Sequence, residues 1–83
     1  MNENTNRYFI SPDLYLCAFI LATEKASLIT IEWDSKKQAS FVFSDPQVCE
    51  QLRESYFAHQ AHVDPFQMSI ALREIKSRLY SSR

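Results

Sequence analysis

Leu28–Phe43, LITIEWDSKKQASFVF, is the stretch on which the fold turns. In its first part Ile29, Ile31 and Trp33 alternate with Leu28, Thr30 and Glu32. In its last part Ala39, Phe41 and Phe43 alternate with Ser40 and Val42. A period of two predicts two strands, and the polar residues between them predict a hairpin. Its register can be argued. Closing Asp34 against Lys37 would set Ile31 opposite Ser40, and the apolar faces would disagree. Closing Asp34 against Gln38 sets Trp33 opposite Ala39, Ile31 opposite Phe41 and Ile29 opposite Phe43. Matching faces favour the three-residue loop Ser35-Lys36-Lys37. The chain has no glycine, so one loop residue is expected at φ > 0 with a Cβ in place.

Outward from the hairpin, three prolines punctuate the chain, in Ser11-Pro12, Asp45-Pro46 and Asp64-Pro65. Each pair offers a capping oxygen followed by a residue already fixed at helical φ. The expected helices are Pro12–Glu24, Pro46–Ala58 and Pro65–Tyr80. Gln67, three residues after Asp64, allows a capping box. Arg7–Ile10, RYFI, reads as a short strand, and residues 1–6, MNENTN, as a flexible N-terminus. Residues 7–83 then form a single α+β domain of order (β)-α-β-β-α-α. A small antiparallel sheet carries three helices packed mainly on one face. So small a sheet leaves its edges open unless another chain covers them.

The composition is that of an ordered globular chain: 83 residues, 46% hydrophobic, 23% charged, net charge −1. Lack of glycine excludes the phosphate-binding P-loop, the dinucleotide fingerprint and the glycine-flanked nucleophile elbow, which need a bare backbone. Cys17 and Cys49 both fall in apolar helical contexts. They read as reduced, packing thiols of a cytoplasmic protein.

Little else suggests chemistry. His59, His62 and Asp64 make HQAHVD, but a closed zinc site needs a fourth ligand and Asp64 is wanted as a cap. Cys17 lies within an apolar helix, where burial raises its pKa, and Glu50 beside Cys49 disfavours a thiolate. Glu50 and Glu54, one helical turn apart, suit a solvated face. No enzyme, cofactor, metal or small-molecule substrate is expected. Tyr56, Phe57 and Phe66 are expected to pack at the corner between the second and third helices. On the third helix Met68, Ala71, Leu72, Ile75 and Leu79 form the apolar face. Ser69, Arg73, Lys76, Tyr80 and Arg83 form an adjacent stripe. A basic stripe with an aromatic can follow a phosphate backbone and stack on a base. Arg73, Lys76, Tyr80 and Arg83 are therefore the candidate nucleic-acid contacts, extended by Lys36 and Lys37 if the hairpin tip folds to that side.

Leu14–Ala22, LYLCAFILA, is apolar all round. It is under half the length of a membrane span and is bounded by Asp13 and by Glu24-Lys25, so no membrane partner is expected. A helix without a polar face must be buried on more than one side. In so short a chain part of it is expected to remain for a partner. The expected surface is Tyr15, Phe19 and Ile20, with Trp33 as an anchor. The first reading is a non-enzymatic protein-interaction module acting through homodimerisation or a partner protein, via helix 12–24 or a sheet edge. The alternative is a nucleic-acid-associated regulatory protein using the stripe on the last helix.

SPDLYLCAFILA, FVFSDP and VDPFQMSIALREIKSRLY, in that order, resemble a family of small bacterial and phage domains of unknown function. The resemblance covers residues 11 to 80. It rests on a capped D-L-Y-L-A-A-F-L-type helix, a hairpin ending V-F-x-F-like, and a final A-x-x-x-L-K-x-x-x-Y-like helix. It implies a small stand-alone module and a phage or mobile-element setting, and lends no catalytic residue. Where the family carries a glycine after its first helix, this chain has Thr23-Glu24-Lys25-Ala26, so the turn must be made differently.

Overall fold

The first helix begins two residues later than its proline suggests. Asp13 is the cap, its Oδ1 accepting the N–H groups of Tyr15 and Leu16 at 3.1 Å each. Ser11 was the expected cap. It is instead the last residue of β1 (Phe9–Ser11), held extended by pairing with Phe41, and its Oγ accepts the Asp13 N–H at 3.2 Å. The computed structural model describes residues 7–82, so the expectation for residues 1–6 lies outside the described residues. The further elements are α1 (Leu14–Thr23), β2 (Leu28–Trp33), β3 (Ala39–Phe43), α2 (Pro46–Phe57) and α3 (Pro65–Ser81).

The other two caps also differ from each other. Asp64 Oδ2 accepts the Gln67 N–H at 3.0 Å, as its position before Pro65 predicts. Asp45 makes no side-chain cap bond. It sits at φ 55°, ψ 63°, and its carboxylate accepts the Ser44 hydroxyl at 2.9 Å. The chain passes from β3 straight into α2, and the left-handed residue that makes this bend turns the side chain off the helix axis. Without glycine, the other left-handed positions fall on Glu24, Lys37 and His59. Glu24 and His59 end α1 and α2. After α2 the N–H of His59 bonds Tyr56 O and that of Gln60 bonds Ser55 O, the paired bonds of a Schellman stop.

The sheet has the order β1-β3-β2 and both pairings are antiparallel. Its hairpin closes as the pattern requires. Asp34 N–H bonds Gln38 O at 3.0 Å, Lys37 N–H bonds Asp34 O at 3.0 Å, and Lys37 is the residue at φ 63°. Trp33 meets Ala39 and Ile31 meets Phe41. The third pair is a correction: Leu28, not Ile29, lies opposite Phe43, because a bulge falls between Leu28 and Thr30. The extra residue lets Leu28 turn into the core, while Ile29 leaves the ladder half exposed.

All three helices lie on one face. Phe9, Leu28, Phe41 and Phe43 share a buried cluster with Leu16–Ile20 of α1, Cys49 of α2 and Ile75 of α3. On the opposite face Ile10, Thr30 and Glu32 are exposed, whereas Val42 is buried. The molecule measures 36 × 32 × 18 Å, the short dimension being one sheet and one helix layer. In that layer α1 touches both α2 and α3, α2 reaches β1, and α3 reaches β2 through Arg78.

This arrangement answers the problem set by LYLCAFILA. Leu16, Cys17, Ala18, Phe19 and Ile20 are each 3% exposed or less. A helix in the middle of the layer has a neighbour on either side and the sheet below. All-round apolarity is what that position selects.

Candidate functional site

Main-chain hydrogen bonding alternates along the sheet. Asp34 N–H points to Gln38 O and Ser44 N–H to Ser27 O, so the even-numbered residues of β3 face β2. Phe41 and Phe43 then face β1 and bond Ser11 and Phe9, their partners in register. By the same alternation the N–H and C=O of Ile10 point away from the sheet, along an edge with which no strand of the described residues pairs.

That edge forms one wall of a groove of about 920 Å³. The strand side is Tyr8 to Pro12. The facing wall is one side of α2, with Gln47, Glu50 and Gln51 spaced one turn apart and Arg53 at its end. Arg53 pairs with Glu50 at 3.7 Å and lies 5.9 Å above the Phe57 ring. Tyr8 and Ile10 are about half exposed. The groove thus combines outward main-chain groups, two carboxamides that both donate and accept, and apolar side chains. The thiols lie behind it rather than in it. Cys17 Sγ donates to Ser11 O at 3.7 Å and Cys49 Sγ to Ser44 O at 3.3 Å. Burial pushes Cys17 up to about 12, the Ser11 side chain opposing the effect and Asp13 and Cys49 adding to it. Burial also pushes Cys49 up to about 11, assisted by the nearby carboxylates of Asp45 and Glu50. Both are unpaired and buried.

The residues read from the sequence as a surface fall in different places. Phe19 and Ile20 are in the core, Phe19 with its ring 5.5 Å from that of Tyr56. They are removed from the candidate interface because α2, α3 and the sheet enclose them. Tyr15 is 55% exposed. Trp33 is exposed at the end of β2, its Nε1–H donating to Ser82 Oγ at 3.1 Å. Arg73, Lys76 and Tyr80 are exposed along α3, and Arg83 lies outside the described residues. Lys37 and Tyr80 line one groove together, so the hairpin tip does fold to the side of that stripe. Of the expected corner, Tyr56 and Phe57 meet edge to face with ring centroids 5.3 Å apart. Tyr56 is partly buried, whereas Phe57 and Phe66 are mostly exposed, because α2 stops at a tight turn and Phe66 falls on the outer side of α3.

His59 is the left-handed residue that ends α2, and Asp64 Oδ2 caps α3. Among the described residues no three His, Cys, Asp or Glu side chains come together around a metal-sized space, and no helix is long and apolar enough to cross a membrane. The β1–α2 groove was not identified from the sequence. Its available signal was RYFI, a strand too short to sit anywhere but an edge. Compared with known proteins, the chain matches no family model, no curated protein and no solved structure.

Proposed function

We propose that this protein is a non-enzymatic interaction module that receives an extended segment of a partner protein along the outer edge of β1. The observation that carries this reading is the position of the outward N–H and C=O of Ile10 beside the Gln47–Gln51 face of α2. Strand addition gives affinity through main-chain bonds and selectivity through flanking side chains. A three-residue edge supplies few such bonds, so the α2 carboxamides carry part of the recognition. The sheet edge thereby replaces helix 12–24 as the proposed docking element. The two unpaired thiols suit a reducing compartment, and we place the protein in the cytoplasm on that ground.

The test is photo-crosslinking with benzoylphenylalanine in place of Gln51, and in place of Glu32 on the opposite edge strand. A protein adduct specific to the Gln51 position, lost when Ile10→Pro removes the outward N–H, is expected. No adduct at Gln51, or equal adducts at both positions, counts against the reading. Light scattering on the pure protein then separates a second copy of this chain from a different partner.

A further inference from the structure

Trp33 is the single tryptophan of the chain, and the fold carries it to the C-terminal end of α3. There its indole N–H is held by Ser82 Oγ, which itself donates to Leu79 O at 2.9 Å. The ring is positioned by this chain of bonds, and its face remains part of a groove of about 440 Å³ lined by Trp33, Lys37, Leu79, Tyr80 and Ser82. That volume falls in the range of small-ligand sites. Tyr80 is 66% exposed. Lys37 is delivered by its own left-handed φ and by the N–H bond to Asp34 O that fixes the hairpin tip.

Among the described residues lining this groove, Lys37 is the charged one and none is a carboxylate. Lys76 and Arg73 are exposed one and two turns back along α3 from Tyr80. The acid in the hairpin tip, Asp34, accepts the Lys36 and Gln38 N–H groups at 2.8 and 2.9 Å, and so is tied to its own loop. Glu74 faces a separate groove between α3 and the α1–β2 turn.

We propose that this groove binds single-stranded nucleic acid, one base stacking on the Trp33 and Tyr80 rings while adjoining phosphates meet Lys37, Lys76 and Arg73. Aromatic faces accept any base, and cations beside them follow the backbone. A duplex is a poor fit, since its bases are already stacked and paired. The site lies at the opposite edge of the sheet from the β1–α2 groove and shares no residue with it, so each can fail alone.

Trp33 is its own reporter. Its fluorescence is followed while ten-nucleotide oligothymidylate, oligouridylate, a duplex of equal length, or inorganic polyphosphate is added. Quenching by the single strands, and weaker binding of the duplex and of polyphosphate, is expected. Tyr80→Ala should weaken binding by roughly 5- to 100-fold, and Tyr80→Phe should restore most of it. Each phosphate contact adds about −0.7 to the slope of log affinity against log salt. Removing Lys37 and Lys76 together, as Lys37→Ala and Lys76→Ala, should therefore flatten it by about 1.4. Tyr80 is exposed near a helix end, so circular dichroism should show the Ala variant folded. Unchanged fluorescence at millimolar oligonucleotide overturns the proposal. So does polyphosphate binding as tightly as the single strands, or Tyr80→Ala binding like the parent.

Discussion

At the β2 edge the Leu28 carbonyl accepts a hydrogen bond from the Arg78 guanidinium at 3.2 Å, and Trp33 donates to Ser82 at 3.1 Å. At the β1 edge the outward groups of Ile10 face a groove instead. Both strands end the same sheet, so the difference lies in the helices beside them. α3 has 17 residues and runs about 25 Å; it packs on α1 and meets β2 through two side-chain bonds, from Arg78 and to Ser82. α2 has 12 residues, about 18 Å. It is anchored through Cys49 and Tyr56 to the core side, leaving its polar face to form a wall. An edge strand needs cover or a partner. Here α3 ties one edge at two side-chain bonds, and α2 walls the other.

The comparison breaks most severely at Ile75, which is fully buried between α3 and the core. Ile75→Ala is expected to cost about 2–5 kcal/mol in urea unfolding, and to speed amide exchange in β2 more than in β1. Equal acceleration in both strands would mean that α3 does not protect the β2 edge.

Alkaline pH should act next, and from the β1 side, where both thiols bond main-chain carbonyls. Their folded pKa values, about 12 and about 11, lie above the ordinary 9.0. The folded state therefore holds protons that the unfolded chain releases. This stabilisation is complete below pH 9 and declines as pH rises through 11 to 12. The urea midpoint should fall between about pH 8 and about pH 10, and the fall should be smaller in Cys17→Ala, which lacks one of the two raised thiols.

Arg78→Ala should cost about 1–2 kcal/mol, because it strips the Leu28 carbonyl of its charged donor at a partly buried position. Arg78→Lys should recover only part of this, since an ammonium lacks the planar fork. Smaller and opposite in sign is Lys37→Gly. Relieving a Cβ at φ 63° should stabilise the hairpin by about 0.5–1 kcal/mol, read as a rise in the thermal midpoint. It would also remove the Lys37 cation from the Trp33 groove. The smallest effect sharpens the comparison at single-residue level. The Ile10 amide should exchange roughly tenfold faster than those of Phe9 and Ser11. Exchange as slow as theirs would place Ile10 in a bond the alternation does not allow.

How far the sequence could be read depended on whether neighbours in the chain were also neighbours in space. The hairpin loop, the Trp33–Ala39 and Ile31–Phe41 pairs, the apolar face of α3 and the Asp64 cap all depend on residues a few positions apart, and all were legible. The failures involve distant partners. Ser11 lost its cap because β1 paired with Phe41, thirty positions on. Ile29 lost its place opposite Phe43 to a bulge. Phe19 and Ile20 left the candidate surface once two later helices closed over them.

The sequence by itself determined six elements, their order and the need to bury α1 on several sides, because periodicity, prolines and absent glycines act locally. Only the tertiary structure decided which helix would meet which edge. That choice depends on helix length and on pairings across as many as fifty residues, which no local pattern records. It is also what placed Trp33 beside Tyr80 and left the edge of β1 facing α2.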